Sequence, residues 1–252
     1  MKKNIEKKLF ICFLCSLLLI FITGIIGAQN VEDLRGQARK AFYGGNYNEA
    51  EILWKQVAEK GVYEWESNFF LGMIYLYLNQ LEEADNYMEK AYNHQPQNYY
   101  TLVNHARILY RKEELKSARE KLLEVPEDMR DYNEQYYNVS GLVAMAEREF
   151  AQAIEYFNYA VEIEPDNYFV RNNLGLASIR KGDYEQARIH LEHAVDQDPS
   201  RPYVYNNLGI TYENLNKLDL AKQNYEKALA MNPEYERAKI NLQRVISQLD
   251  NE

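Results

Sequence analysis

The chain has 252 residues and a formal net charge of −9 at neutral pH. An acidic surface repels nucleic-acid phosphates, so the charge predicts no nucleic-acid binding. Both cysteines, Cys12 and Cys15, lie close to the amino terminus, which excludes a disulfide framework in the rest of the chain.

The first predicted element is an apolar segment at the amino terminus. Four lysines precede an uncharged run at residues 9–26, and Gly27 and Ala28 follow it. This order is typical of a secretory signal peptide, here cleaved after Ala28. The run is also long enough to span a bilayer, so an uncleaved membrane anchor over residues 1–28 is the alternative, with residues 9–26 as the tether. Either form predicts that residues 29–252 are exported to the periplasm or envelope of a bacterial cell.

Alanines recur at a nearly constant interval through residues 29–252. Successive alanines are separated by 34, 34, 35, 34 and 34 residues: Ala50, Ala84, Ala118, Ala153, Ala187 and Ala221. A period of this size is typical of proteins built from stacked helical hairpins. It predicts six units at residues 31–64, 65–98, 99–132, 134–167, 168–201 and 202–235, with residue 133 as a single extra position.

The last of these units shows the repeated motif most clearly. It contains, in order, Tyr205, Leu208, Gly209, Tyr212, Ala221, Tyr225, Ala228 and Pro233. This pattern resembles the tetratricopeptide repeat. Glycine on the first helix and alanine on the second let two helix axes approach closely, and the proline ends the second helix. The resemblance implies an all-α fold, a right-handed superhelical solenoid of six helix-turn-helix repeats that stabilise one another.

Three segments depart from the motif. The first unit has Gln37 and Ala38 where Leu-Gly is expected, as a terminal repeat can. In the third unit the proline comes early, as Pro126, which predicts a shortened second helix and a local change of superhelix pitch, or a harmless loop insertion as the alternative. After the sixth unit, an amphipathic pattern at residues 236–250 predicts a capping helix.

The resemblance also implies a function, because such repeats bind protein or peptide partners on their first helices. We call the second, fifth, ninth, twelfth and thirteenth positions of each unit the inner-face positions. Arginine and aromatic residues at these positions are typical of protein-binding surfaces, and acidic groups of a partner are expected near Arg107 and Arg111. The predicted partner-binding residues are Arg35, Arg39, Tyr43, Phe69, Met73, Tyr77, Tyr100, Arg107, Tyr110, Arg111, Asn172, Arg180 and Asn206.

Catalytic motifs are not found in the sequence. It contains no phosphate-binding loop, dinucleotide fingerprint or nucleophile motif, so no catalysis, cofactor or metal is predicted. His190 and His193 share a helix face, but no third ligand lies nearby in sequence. The sequence therefore predicts a non-enzymatic interaction adaptor. The alternative is a membrane-anchored structural component of an envelope secretion or assembly complex.

Overall fold

A computed structural model describes residues 30–131 and 133–251. These residues form helices joined by short turns, with no strand among them. The predicted signal peptide or anchor at residues 1–28 lies outside the described residues. Within the described ranges, no helix has both the length and the apolar character needed to cross a bilayer.

The helices follow one another in pairs, as the repeat period predicts. They are α1 (residues 30–43), α2 (Tyr47–Ala58), α3 (Glu64–Tyr77), α4 (Leu81–His94), α5 (Tyr99–Arg111), α6 (Leu115–Leu123), α7 (Glu134–Ala146), α8 (Phe150–Ile163), α9 (Tyr168–Lys181), α10 (Tyr184–Gln197), α11 (Pro202–Asn214), α12 (Leu218–Met231) and α13 (Glu236–Leu249). The all-α repeat fold is thus confirmed in the described part of the chain.

The helices form two compact units, with residues up to 104 in unit 1 and residues 105–252 in unit 2. In unit 1, α3 packs against both α2 and α4. Its core centres on Trp54, which is fully buried and stacks on Phe70 with ring centroids 4.6 Å apart. In unit 2, each helix from α6 to α12 packs against the next one or two along the chain. Each unit therefore builds its core from neighbouring hairpins.

Close approach of the paired helices explains the glycine of the motif. A Cβ added at Gly209 would lie 2.5 Å from ring atom Cε1 of Tyr225, and one added at Gly141 would lie 2.5 Å from Cε1 of Phe157. At Gly72 the nearest atom is the flexible Cε of Met88, at 3.0 Å. The ring or side chain on the second helix thus fills the space that the missing Cβ leaves.

The turn between the two helices of each hairpin has one residue in the left-handed region. These residues recur at the repeat period: Gly45, Asn79, Glu113, Arg148, Gly182 and Asn216. Glycine and asparagine adopt this conformation readily, whereas a long side chain does so at a cost of about 1–2 kcal/mol. Glu113 and Arg148, with φ of 64° and 65°, are therefore the two strained turn residues of this set.

The third hairpin has the shortened second helix that its early proline predicts. Helix α6 has nine residues, whereas α4, α8, α10 and α12 have 14 each. A 3₁₀ turn at Glu127–Met129 follows Pro126. Arg130 then donates hydrogen bonds to the carbonyls of Leu123 and Val125 at 3.2 and 2.9 Å, which replace partners that the missing turns would have supplied. The predicted change of pitch stays a prediction.

Helix α13 covers the end of the sixth hairpin. Ala238 and Val245 are buried, and Leu242 and Leu249 pack beside them, which completes a stripe with spacings of four, three and four residues. The sequence also places Ile246 on this face, but 38% of it is exposed. Ile246 lies one residue off the stripe, about 100° around the helix, and therefore faces away from α12.

Candidate functional site

The predicted arginines of unit 1 are already engaged within the chain. Arg39 donates a 2.5 Å hydrogen bond to the carboxylate of Glu66, and Arg35 lies 3.4 Å from the same carboxylate. Arg35 also pairs with Glu32 at 3.0 Å and lies over the ring of Tyr63. Because Glu66 is buried, its negative charge offsets the two arginines at this surface.

Aromatic rings occupy the inner-face positions at the carboxyl ends of α1 and α3. Tyr43 is 76% exposed and its ring contacts Phe42 edge-on. Tyr77 is half exposed and stacks on Tyr47 with centroids 4.9 Å apart. Unit 1 therefore presents an exposed aromatic surface, and the two arginines predicted with it, Arg35 and Arg39, are paired within the chain.

The three other residues predicted in unit 1 differ in exposure. Phe69 is partly buried and stacks on Trp65. Met73 is 7% exposed, so little of its side chain is accessible. Tyr100 is half exposed and its ring lies against that of Tyr99, with centroids 4.0 Å apart. Their roles in partner binding stay predictions.

In unit 2, asparagines link the first helices of successive hairpins. Each link is a hydrogen bond from the sixth position of a hairpin, or from the equivalent position of α13, to the fifth position of the hairpin before it. The amide of Asn173 donates to Asn138 at 3.1 Å, that of Asn207 to Asn172 at 3.0 Å, and that of Asn241 to Asn206 at 2.9 Å. Asn172 and Asn206 were predicted to bind a partner, and the structure uses both, largely buried, to join helices.

A cleft of about 490 Å³ opens at the carboxyl ends of α5, α7 and α9. Apolar side chains and two arginines line it: Tyr110, Met145, Ala146, Arg148, Phe150, Leu176 and Arg180. Five of these occupy the ninth, twelfth or thirteenth positions of three successive hairpins. The cleft therefore combines inner-face positions with the strained turn residue of the fourth hairpin.

The two arginines of the cleft have no carboxylate partner in the described part of the chain. Arg148 stands between Glu147 and Glu149 in sequence, yet both carboxylates pair with Arg119 on α6, that of Glu149 at 2.7 Å. Arg180 lies in the last turn of α9 and is exposed. Two positive charges therefore remain available at this cleft in an acidic protein.

Tyr110 is the aromatic residue at the α5 side of the cleft. Burial raises the pKa of its phenol above the usual value, so the hydroxyl stays protonated at physiological pH and can donate a hydrogen bond. Arg107, one turn earlier, is partly buried, and its charge partly opposes the rise in the pKa of Glu134. Arg111, the last residue of α5, is exposed.

Of the cleft residues, the predicted list contains Tyr110 and Arg180. Met145, Ala146 and Leu176 occupy inner-face positions but are not on that list, and Arg148 and Phe150 are missed altogether. Both missed residues lie beyond the end of α7, outside the inner-face positions. A signal for Arg148 was present, because it stands 34 residues before Gly182, at the turn position that favours glycine. The asparagine links were also visible, as Asn172-Asn173 and Asn206-Asn207 recur at the same interval.

Comparison with known families gives three matches along the chain. Residues 66–98, 144–208 and 202–235 each match a model described as the tetratricopeptide repeat. These segments contain the close helix approaches at Gly72, Gly175 and Gly209. The chain is a tetratricopeptide repeat protein. No curated protein sequence matches this tetratricopeptide repeat protein.

Solved structures share the fold at low sequence identity. PilW, titled a widely conserved type IV pilus biogenesis factor, is 14% identical with a TM-score of 0.75, over 86% of this chain and 99% of PilW. Pseudomonas aeruginosa pilF is 16% identical with a TM-score of 0.72, over 86% and 97% of the two chains. YrrB, titled a tetratricopeptide repeat protein with an unusual peptide-binding site, is 19% identical with a TM-score of 0.55, over 73% and 95%.

At these identities the likeness shows a common fold. Tetratricopeptide repeat proteins are generally scaffolds without catalytic activity, and the fold supports a role in protein–protein interaction. In the described residues, no group of three histidine, cysteine or acidic side chains is placed to hold a metal ion.

Proposed function

We propose that this protein is an interaction adaptor that binds an extended or helical peptide segment of a partner protein in the cleft between α5, α7 and α9. The family supports protein binding in general, and the cleft supplies a specific place for it. Apolar side chains at Met145, Phe150 and Leu176 give a partner side chain area to bury, while Tyr110 offers both a ring and a hydroxyl.

The observation that carries the proposal is the convergence of three successive first helices on one cleft. A volume of about 490 Å³ accommodates a few side chains of a bound segment. The link between Asn138 and Asn173 joins two of the helices that line the cleft, α7 and α9, and the link between Asn172 and Asn207 holds α9 to α11. A partner would then meet a surface that needs little reordering, which lowers the entropic cost of binding.

Site-directed photo-crosslinking tests this placement. A photoreactive amino acid at Met145 or Leu176 reports on the cleft, and the same group at Ile189, exposed on the second helix α10, is the matched control. We expect the same partner band from both cleft positions and none from Ile189. Crosslinking from Ile189 alone, or an unchanged band after Tyr110→Ala, would place the partner elsewhere on the molecule.

We also propose that the adaptor acts outside the cytoplasm, because the amino-terminal residues 1–28 have the order of a signal peptide. The second candidate is an anchored component of an envelope secretion or assembly complex, tethered through residues 9–26. PilW, a type IV pilus biogenesis factor by its title, shares the fold and is compatible with such a role. Amino-terminal sequencing of the mature protein separates the two, since a start at Gln29 contradicts the tether.

A further inference from the structure

We infer that the cleft of unit 2 selects partner segments in which an apolar side chain lies next to acidic side chains, with Arg148 and Arg180 receiving the carboxylates. This inference rests on the proposed function and adds the chemistry of the ligand. The sequence places acidic selectivity near Arg107 and Arg111, whereas the structure assigns it to the arginines that line the cleft.

The first observation behind the inference is the distribution of charge in the chain. The chain has 38 acidic and 29 basic side chains, so an arginine on its surface has many possible partners. Arg148 and Arg180 nevertheless pair with no carboxylate of the described residues, and both line the same cleft. Arg119 holds Glu147 and Glu149, the two carboxylates nearest in sequence to Arg148. An incoming carboxylate would therefore meet arginines that are not already neutralised.

The second observation is the backbone conformation of Arg148. Arg148 has a φ of 65°, where four of the six equivalent turn positions have glycine or asparagine. A conformation that disfavours long side chains is retained where the surrounding structure or the function requires it. Glycine at this turn would relieve the strain but would remove the guanidinium from the cleft. Glu113 has the same conformation at the equivalent turn of the third hairpin, so the strain agrees with a role for the Arg148 side chain, and the position of Arg148 in the cleft is what singles it out.

A purely structural role makes a different prediction for Arg148. Cations near the carboxyl end of a helix interact favourably with its dipole, and Arg148 follows the end of α7 closely. If that were its role, an uncharged replacement would weaken the fold. If it binds carboxylates, Arg148→Asn leaves the melting temperature unchanged or raised, since asparagine suits this turn at Asn79 and Asn216.

Peptide display on the purified full-length chain tests the inference. A random 12-residue library is selected for binding, and the strongest peptide is remade with Asn and Gln in place of Asp and Glu. We expect acidic residues beside leucine or phenylalanine in the selected peptides. By fluorescence anisotropy, Arg148→Asn and Arg180→Gln should each weaken the acidic peptide about tenfold, and its neutral counterpart far less.

Two further variants complete the design. Arg237→Gln removes an exposed arginine of α13 outside the cleft and should leave affinity unchanged, which controls for net charge. Arg119→Gln releases Glu147 and Glu149 to pair with Arg148, so it should weaken acidic-peptide binding without touching the cleft lining. Equal losses for Arg237→Gln and Arg148→Asn, or selected peptides without acidic residues, would overturn the inference.

The same experiment separates failure of the inference from failure of the proposed function. Tyr110→Ala should abolish binding of any peptide that occupies the cleft, acidic or not. If selected peptides lose affinity with Tyr110→Ala but not with the arginine variants, the cleft binds peptides and the acidic selectivity is wrong. If Tyr110→Ala has no effect, the cleft is not the binding site and the proposed function fails with the inference.

Discussion

The two units differ in whether the arginines near their inner faces are paired within the described chain. In unit 1, Arg35 and Arg39 share the buried carboxylate of Glu66. In unit 2, Arg148 and Arg180 line a cleft without a carboxylate of the described chain. We therefore expect an arginine of a repeat surface to receive a partner's carboxylate only if its own chain does not already neutralise it.

The seams between paired helices differ between the units as well. In unit 2, Gly209 lies against the buried ring of Tyr225 and Gly141 against that of Phe157. In unit 1, Gly72 faces the end of Met88, which can change rotamer. Unit 2 is thus expected to tolerate less change at its seams.

The largest expected effect comes from adding one methyl group at these seams. Gly209→Ala should cost about 3 kcal/mol of overpacking against Tyr225 and regain about 1 kcal/mol of helix propensity, a net loss of about 2 kcal/mol. Gly72→Ala should cost less, because its nearest contact is the flexible end of Met88, and the Ala84 carbonyl oxygen and Met88 amide nitrogen lie farther away, at 3.3 Å. Urea unfolding with hydrogen exchange resolved by helix measures both variants. Equal losses in the two variants would show that the seams do not differ.

The repeat fold was readable from the sequence for a physical reason. A glycine or alanine that lets helices approach must recur wherever the same approach recurs, so the spacing of Ala153, Ala187 and Ala221 directly reports a repeated contact. Helix ends were equally readable, since Pro165, Pro199 and Pro233 each stop a helix shortly before them.

The site was only partly readable, because charge pairing does not follow the repeat period. Arg119 reaches carboxylates 28 and 30 residues away, and Arg39 reaches one 27 residues away. Such pairs depend on where long side chains extend after the helices have packed. Inner-face positions therefore identified Tyr110 and Arg180 but could not tell that Arg39 is neutralised.

The second prediction concerns a variant in which the arginines of unit 1 lose their carboxylate partner, as those of the unit 2 cleft lack one. Glu66→Gln removes the charge that Arg35 and Arg39 share, which should cost about 1.5 kcal/mol because Glu66 is buried. The two arginines then become available beside the exposed Tyr43 and Tyr77 rings. We expect the acidic peptide selected by peptide display to crosslink to α1 or α3 in this variant and not in the unaltered protein.

Glu32→Gln is the matched control for that experiment. Glu32 is exposed and pairs with Arg35 but not with Arg39. Removing the Glu32 charge therefore leaves the pairs of both arginines with Glu66 in place. We expect stability and crosslinking to stay as in the unaltered protein. If Glu66→Gln gives no new crosslink, availability of arginine is not what distinguishes the units.

The smallest expected effect is a pH dependence of opposite sign in the two units. In unit 2, burial, reinforced by Glu164, raises the pKa of Glu134 to about 7. In unit 1, hydrogen bonds from Lys55 and then Tyr75 lower the pKa of Glu51 below its ordinary value of 4.5. Burial thus disfavours the charged form of Glu134. The charged form of Glu51 is favoured by the hydrogen bonds from Lys55 and Tyr75.

The sign of each effect on stability depends on whether the carboxyl group loses its proton at a lower pH in the folded or in the unfolded protein. Unfolded Glu134 ionises near pH 4.5 and folded Glu134 near 7, so its contribution to stability falls as pH rises between these values. Glu134→Gln should therefore stabilise the protein by about 1 kcal/mol at pH 8, allowing for partial solvent screening, and by little at pH 4.5. Glu51→Gln should destabilise it at pH 8, with a loss that shrinks as pH falls below 4.5. Urea midpoints of both variants against the unaltered protein from about pH 3 to pH 8 measure the two trends, and parallel curves would contradict the contrast.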